Sequence, residues 1–224
     1  LLESYALQVR DLIQEAEDRL GRREVLPGEG FQFGATDAAV IYLLPDVLRD
    51  YVEAYPEIEL SIQVAGSRYL VEDLLMNRSE FALISLPFSH PRIQTVSIYH
   101  DSMPLVVGVG HPFAGRRSVT LQEVAGEPLI LFHSDSVSRN VVDERFAEAG
   151  LSPRVAMEMR SPEAMRKLVE VGVGISFLPS LTVTESLDAG VLREVPVEGV
   201  AFNREIGVAW RQGRYLGPAI RELI

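Results

Sequence analysis

The chain has 224 residues, of which 47% are hydrophobic and 24% charged, enough apolar material for one globular body or two small lobes and too much for a disordered chain. It contains no cysteine, which excludes a disulfide framework, thiolate chemistry and a cysteine-type zinc site. The formal net charge is −11, Lys167 is the only lysine, and no basic cluster exceeds Gly21-Arg22-Arg23 or Arg116-Arg117. Nucleic-acid binding by this chain itself is therefore disfavoured, because it requires a basic face that displaces counterions. No apolar run approaches the roughly 20 residues needed to cross a bilayer.

Leu2, Tyr5, Val9, Leu12, Ala16 and Leu20 recur at helical spacing and predict an amphipathic helix over residues 1 to about 23. Its stripe starts uncapped, so it reads as the continuation of a preceding segment and as an arm that pairs with a partner chain. Pro27, Gly28 and Gly30 then mark a linker. Phe31 to Ala35 reads as a strand, and Thr36-Asp37 opens a helical pattern that Pro45 should kink or restart. A strand over Ile58 to Val64, a helix opened by Gly66-Ser67 and a buried strand from Phe81 to Pro87 complete a β-α-β-α-β unit. Residues 95–109 are apolar and long enough for one extended strand that leaves this unit, a candidate hinge.

A second unit follows with the same order. His111 to Gly115 turns the chain, Leu121 to Ala125 reads as a short helix, and Leu129-Ile130-Leu131-Phe132 runs into the serine-rich turn His133-Ser134-Asp135-Ser136-Val137-Ser138-Arg139. After it come a helix from Ser138 to Ala149, a strand from Arg154 to Met159, a helix from Pro162 to Val171 ended by Gly172, and a strand over Ile175 to Pro179. A short helix, strands over Val191 to Val197 and Ile206 to Trp210, and a terminal helix from about Tyr215 close the chain. Matched turns recur about 95 residues apart, Ser67 answering to Ser161 and Pro87 to Pro179. Each half therefore predicts a parallel sheet with helices, whose ligand edge lies at the carboxyl ends of the strands.

Catalytic and cofactor motifs are missing. Gly108-Val109-Gly110 and Gly172-Val173-Gly174 lack the third glycine of a dinucleotide site, and neither a P-loop nor a Gly-x-Ser-x-Gly elbow occurs. His90, His100, His111 and His133 are not spaced as metal pairs, so no metal, cofactor or catalytic residue is assigned. His133, Ser134, Asp135 and Ser136 invite a hydrolase reading, but neighbours along one turn rarely converge into a triad. Asn77-Arg78-Ser79 matches a glycosylation sequon only as three residues recur by chance.

Short polar groups at helix starts remain. A hydroxyl there ordinarily caps its own helix, yet the same free N–H groups and dipole seat a ligand oxygen. Capping is the preferred account of Ser67 and Ser161. The recurrence of Thr36-Asp37 in one half and Ser136, Ser138 and Arg139 in the other favours a cleft that binds a small polar molecule, although Arg139 also stands four residues before Asp143, at ion-pair spacing.

The order of Phe33-Gly34-Ala35-Thr36, Leu43-Leu44-Pro45, Phe81-Ala82-Leu83-Ile84, Gly110-His111-Pro112-Phe113-Ala114, Leu129-Ile130-Leu131-Phe132, Phe146-Ala147-Glu148-Ala149-Gly150 and Val171-Gly172-Val173-Gly174-Ile175-Ser176-Phe177-Leu178-Pro179 resembles the effector-binding domain of LysR-type transcriptional regulators with its linker helix. The resemblance implies an α/β fold of two Rossmann-like subdomains joined by crossover strands, like type 2 periplasmic binding proteins. The division it implies is 1–27 for the linker helix, 28–98 with 206–224 for one subdomain and 99–205 for the other. It also implies a small-molecule inducer in the cleft, contacted by Thr36, Asp37, Ser67, Ser85, Ser136, Ser138 and Arg139. Self-association to a dimer or tetramer is implied too, as are a cytoplasmic location without membrane contact and DNA binding only through a winged helix-turn-helix absent from this chain. The effector expected is a small carboxylate or an amino-acid-like compound; Asp37 and the non-glycine turn Ser134 to Ser138 depart from the family pattern, which argues against a simple anion and leaves room for a ligand that also carries a hydrogen-bond donor or an amine. A periplasmic solute-binding protein is the alternative, and an enzyme on the same fold a third reading.

Overall fold

The computed structural model describes residues 31–214, so the arm expected before them and the terminal helix expected after them lie outside the described residues. The chain divides into two compact units. Among the described residues the first comprises 31–84, Ser89–Val96 and 208–214, and the second comprises Ser85–Phe88 and Ser97–Gly207.

In the first unit, strand β1 (Phe31–Ala35) is flanked by β2 (Leu60–Val64) and β3 (Phe81–Leu86), both parallel to it. Alternation along β1 buries Phe31, Phe33 and Ala35, and the Phe33 ring stacks on Phe81 with centroids 4.8 Å apart. The chain then turns helical at Asp37, passes through a π-helical segment (Ala39–Leu43) and continues as helix α1 (Leu44–Ala54), with Pro45 in its first turn. Pro45 restarts the helix: it has no N–H to donate and its ring crowds the carbonyl four residues back, and the wider π turn relieves both. Helix α2 (Ser67–Leu75) packs close to β1 because residue 34 is glycine, where a Cβ would meet Leu70 Cδ2 at 2.7 Å and Ala82 Cβ at 3.3 Å.

The run expected as one strand over 95–109 is two. Strand β4 (Ile93–Ser102) ends before Pro104, which offers no proton to a sheet ladder, and β5 (Leu105–Gly108) starts after it. A 3-10 turn (Pro112–Gly115) leads to α3 (Leu121–Gly126), which opens on a capping box between Thr120 and Glu123 that the sequence reading overlooked.

Strand β6 (Leu129–Phe132), α4 (Val137–Glu148), β7 (Val155–Met159), α5 (Pro162–Glu170) and β8 (Ser176–Phe177) then repeat the β-α-β-α-β order. Strand β7 lies parallel to β6, and Leu129 bridges in parallel to Ile175 just ahead of β8. Gly150 and Gly172 end the two helices at φ of 68° and 78°. After α6 (Ser180–Asp188), the strand expected over 191–197 pairs only as β9 (Leu192–Glu194), and Val197 bridges separately to Val119. Strand β5 is antiparallel to both β8 and β9. The core of this unit gathers Met103, Leu105, Val107, Phe146, Phe177 and Phe202, with the Phe177 and Phe202 rings 4.0 Å apart.

Strand β10 (Asn203–Arg211) returns the chain to the first unit and completes the sheet order β2-β1-β3-β10-β4. Two strands, β4 outward and β10 back, thus begin in one unit and end in the other.

Candidate functional site

At the carboxyl end of β1, Thr36 holds the position of a helix cap without acting as one. Its main-chain N–H donates to Leu83 O at 3.1 Å and its carbonyl accepts from Val40 N–H at 3.1 Å, which fixes the residue between β3 and the helix. Its Oγ1, however, is buried with no hydrogen-bond partner among the described residues. Asp37 follows in the first helical turn, half-buried, and its carboxylate has neither a hydrogen bond nor an ion pair among the described residues. Ser67, expected as a cap, is the first helical residue of α2, behind the cap residue Gly66. Ser85 is 6% exposed, near the carboxyl end of β3.

The matching turn in the second unit is organised differently. Ser136 caps α4, its Oγ accepting from Arg139 N–H at 3.0 Å, as Ser161 caps α5 by accepting from Ala164 N–H at 3.3 Å. The amides of Val137 and Ser138, next along α4, meet no acceptor among the described residues. The start of α4 therefore offers two N–H donors and the positive end of the helix dipole to a ligand oxygen.

Arg139 is engaged within its own unit. Its side chain is turned inward, with Nε donating to Asp143 Oδ1 at 2.8 Å and Nη1 donating to Phe132 O at 2.9 Å and to Glu158 Oε1 at 2.7 Å. The ion-pair reading with Asp143 is the observed one, and Glu158 of β7 adds a second carboxylate. Burial lowers the Arg139 pKa and the two carboxylates more than offset it, so the guanidinium lies above its ordinary value, while Glu158 is held below the usual carboxylate range by Arg139.

The other cations of this edge are neutralised too. Arg160 forms a bidentate pair with Asp135, at 3.0 and 2.9 Å, and Arg204 pairs with Asp101 at 2.9 Å. Arg160, Arg204, Asp101 and Glu158 escaped the sequence reading because each pairs with a residue of another element. Asp101 and Arg204 stand 103 positions apart, and no local periodicity marks such a pair. Among the described residues, the arginines bonded to this turn and to the first turn of α4 are thus each paired with a carboxylate, and the free groups there are hydrogen-bond donors.

His133 Nδ1 lies 2.9 Å from Asp135 Oδ1, so these two neighbours do converge, but the same nitrogen faces Arg160 Nη2 at 3.2 Å. No serine hydroxyl contacts the His133 ring among the described residues. Asp135 is held below the usual carboxylate range, chiefly by Arg160 and with help from His133. Among the described residues no cluster of three or more His, Asp or Glu is placed to hold a metal ion, and no helix is long and apolar enough to cross a membrane. In the Asn77-Arg78-Ser79 sequence, Asn77 Oδ1 accepts from Arg214 Nη1 at 3.2 Å and Ser79 is 3% exposed.

The family described as the LysR substrate binding domain matches residues 27–224. The HTH-type transcriptional regulator YybE of Bacillus subtilis (strain 168), itself uncharacterized, is 31% identical over 176 residues, which cover 79% of this chain and 59% of that relative. The effector binding domain of QuiR in complex with shikimate superposes with a TM-score of 0.77 at 22% identity, covering 87% of this chain and 92% of that one. The regulatory domain of Synechocystis PCC6803 CcmR in complex with 2-PG does so with a TM-score of 0.78 at 21% identity, covering 86% and 92%. At these identities the two structures establish a common fold.

Proposed function

The chain belongs to the LysR substrate-binding-domain family, and from that premise we propose that it is the ligand-sensing part of a LysR-type transcriptional regulator, occupied by a small carboxylate or amino-acid-like effector. The observation that carries the reading is Thr36. Ser136, Ser161 and Thr120 each use the side-chain oxygen to cap a helix, whereas the buried Thr36 Oγ1 has no partner among the described residues. A buried hydroxyl without a partner costs free energy, and a ligand that supplies the partner recovers it. Asp37 beside it favours a ligand group that donates hydrogen bonds, such as an ammonium or a hydroxyl, while the free amides of Val137 and Ser138 favour a carboxylate or another oxygen acceptor.

The proposed action is a population shift. An effector that prefers one conformation moves a pre-existing equilibrium by no more than its differential affinity, and DNA is contacted by another part of the full regulator, assembled as a dimer or tetramer in the cytoplasm. The family match favours this reading over a periplasmic solute-binding protein, and no catalytic role is assigned. A thermal-shift screen of organic acids and amino acids, with shikimate and 2-PG included, tests the proposal. A compound that stabilises the chain should lose most of its shift in Thr36→Val, and part of it in Ser136→Ala, where loss of the cap loosens the helix start that presents the Val137 and Ser138 amides. An unchanged shift in both variants overturns the assigned contacts.

A further inference from the structure

The side-chain partners of Arg204 all lie far from it in the sequence. It is 6% exposed at the start of β10, and its guanidinium donates to Asp101 Oδ2 from Nε at 3.0 Å and from Nη2 at 2.9 Å. Its Nη1 donates to Ser138 Oγ, 3.0 Å away in the first turn of α4. Asp101, 2% exposed near the end of β4, accepts with its other oxygen from Ser180 Oγ at 2.6 Å, in the first turn of α6. Four elements therefore meet at one ion pair: the two strands that run from one unit into the other, and the helices that follow β6 and β8.

Stability alone is a poor account of such a pair. Apolar side chains of similar volume fill a core at least as well, whereas loss of one partner strands a charge in low dielectric. Burial lowers the Arg204 pKa, and the Asp101 charge opposes that fall. Neither group separates from the other without exposing this cost, so the pair acts as a stiff joint, and Ser138 and Ser180 are tied to its opposite ends.

We propose that the Asp101–Arg204 pair is a relay that couples the first turn of α4 to the first turn of α6 and to strands β4 and β10. Its regulatory use rests on the reading of Ser136 and Ser138 as an effector contact; its existence does not. A ligand that engages Ser138 displaces the acceptor of Arg204, and the displacement passes to Asp101 and Ser180. Coupling of this kind is reciprocal, so a perturbation at α6 is felt at α4.

Amide hydrogen exchange on the 224-residue chain without any ligand tests the relay. Ser180→Ala removes the hydroxyl on Asp101 and touches nothing in α4. The relay requires exchange at the Arg139 and Asn140 amides to rise in this variant by roughly threefold or more. Ser138→Ala should do the same to the Thr182 amide, which donates to Pro179 O at 2.9 Å. Thr120→Ala weakens a cap elsewhere in the unit without touching the network, and it should leave both reporters unchanged relative to global opening. If each serine variant alters only its own helix start, or if Thr120→Ala reproduces the pattern, the relay is overturned. Both serine variants keep the ion pair, so the test does not depend on a folded Arg204 variant. A failed effector screen alongside a positive exchange result removes the assigned contacts and leaves the relay standing.

Discussion

Arg139 Nη1 lies 2.7 Å from Glu158 Oε1, which ties helix α4 to strand β7 through a cation that sequence reasoning places at the ligand. Arg139→Ala should therefore destabilise the ligand-free chain by about 2 kcal/mol, because the Phe132 carbonyl and two carboxylates lose their donor together. Urea unfolding measures this directly. An arginine that served only a ligand would leave the midpoint where it is.

Thr36→Val and Ser136→Ala should separate in the absence of ligand. Valine replaces a buried hydroxyl that has no partner among the described residues with a group of similar shape, so the unfolding midpoint should hold or rise. Alanine at 136 removes the acceptor of the Arg139 N–H and should cost about 1 kcal/mol. Equal losses in both variants contradict the assignment of a structural role to one hydroxyl and not to the other.

Acid should weaken the fold in a definite window. Arg160 depresses Asp135, Arg139 depresses Glu158, and the Thr120 N–H with Arg116 holds Glu123 at about 2. In each case the folded value lies below the ordinary one, so the unfolded chain binds more protons as pH falls. The stabilisation is present above the ordinary carboxylate values of 3.8 for Asp and 4.5 for Glu, and it is lost as pH falls through the folded values. Urea midpoints should drop between about pH 5 and about pH 2, and Arg160→Gln should make the drop shallower. A slope unaltered by that substitution rules out the Asp135–Arg160 pair as a contributor.

Gly174→Ala should disrupt the second unit. A Cβ at this position comes within 2.5 Å of Pro128 O and 3.2 Å of Ile130 Cγ1, against the strand that leads into α4. Backbone has to shift to admit it, at a cost of about 1–3 kcal/mol. Gly126→Ala, where a Cβ meets nothing within 4 Å, is the comparison and should change stability far less.

Much of the architecture was legible before the structure. The limits of β1 and β6 match the apolar runs, and Ser161, Pro162 and Gly172 mark the ends of α5, because periodicity, caps and left-handed glycines act within a few residues of chain. Strand breaks were harder. The apolar run over 95–109 concealed the interruption at Pro104, since hydrophobicity reports burial rather than ladder continuity. Ser67 was misplaced by one residue for a related reason: any small polar residue before a helical run satisfies the same pattern, and here Gly66 takes the cap position.

By itself the sequence determined the two β-α-β-α-β units, their order and the helix starts that face the carboxyl ends of the strands, all of which are set by local spacing. Only the tertiary structure decided what each polar side chain does there. Ser136 is committed to a cap, Arg139 to two carboxylates and a carbonyl, and Arg204 to Asp101, while the Thr36 hydroxyl has no partner among the described residues. The physical reason is that a hydrogen bond or an ion pair depends on distance in space, and the partners that settle these roles arrive from other strands and helices.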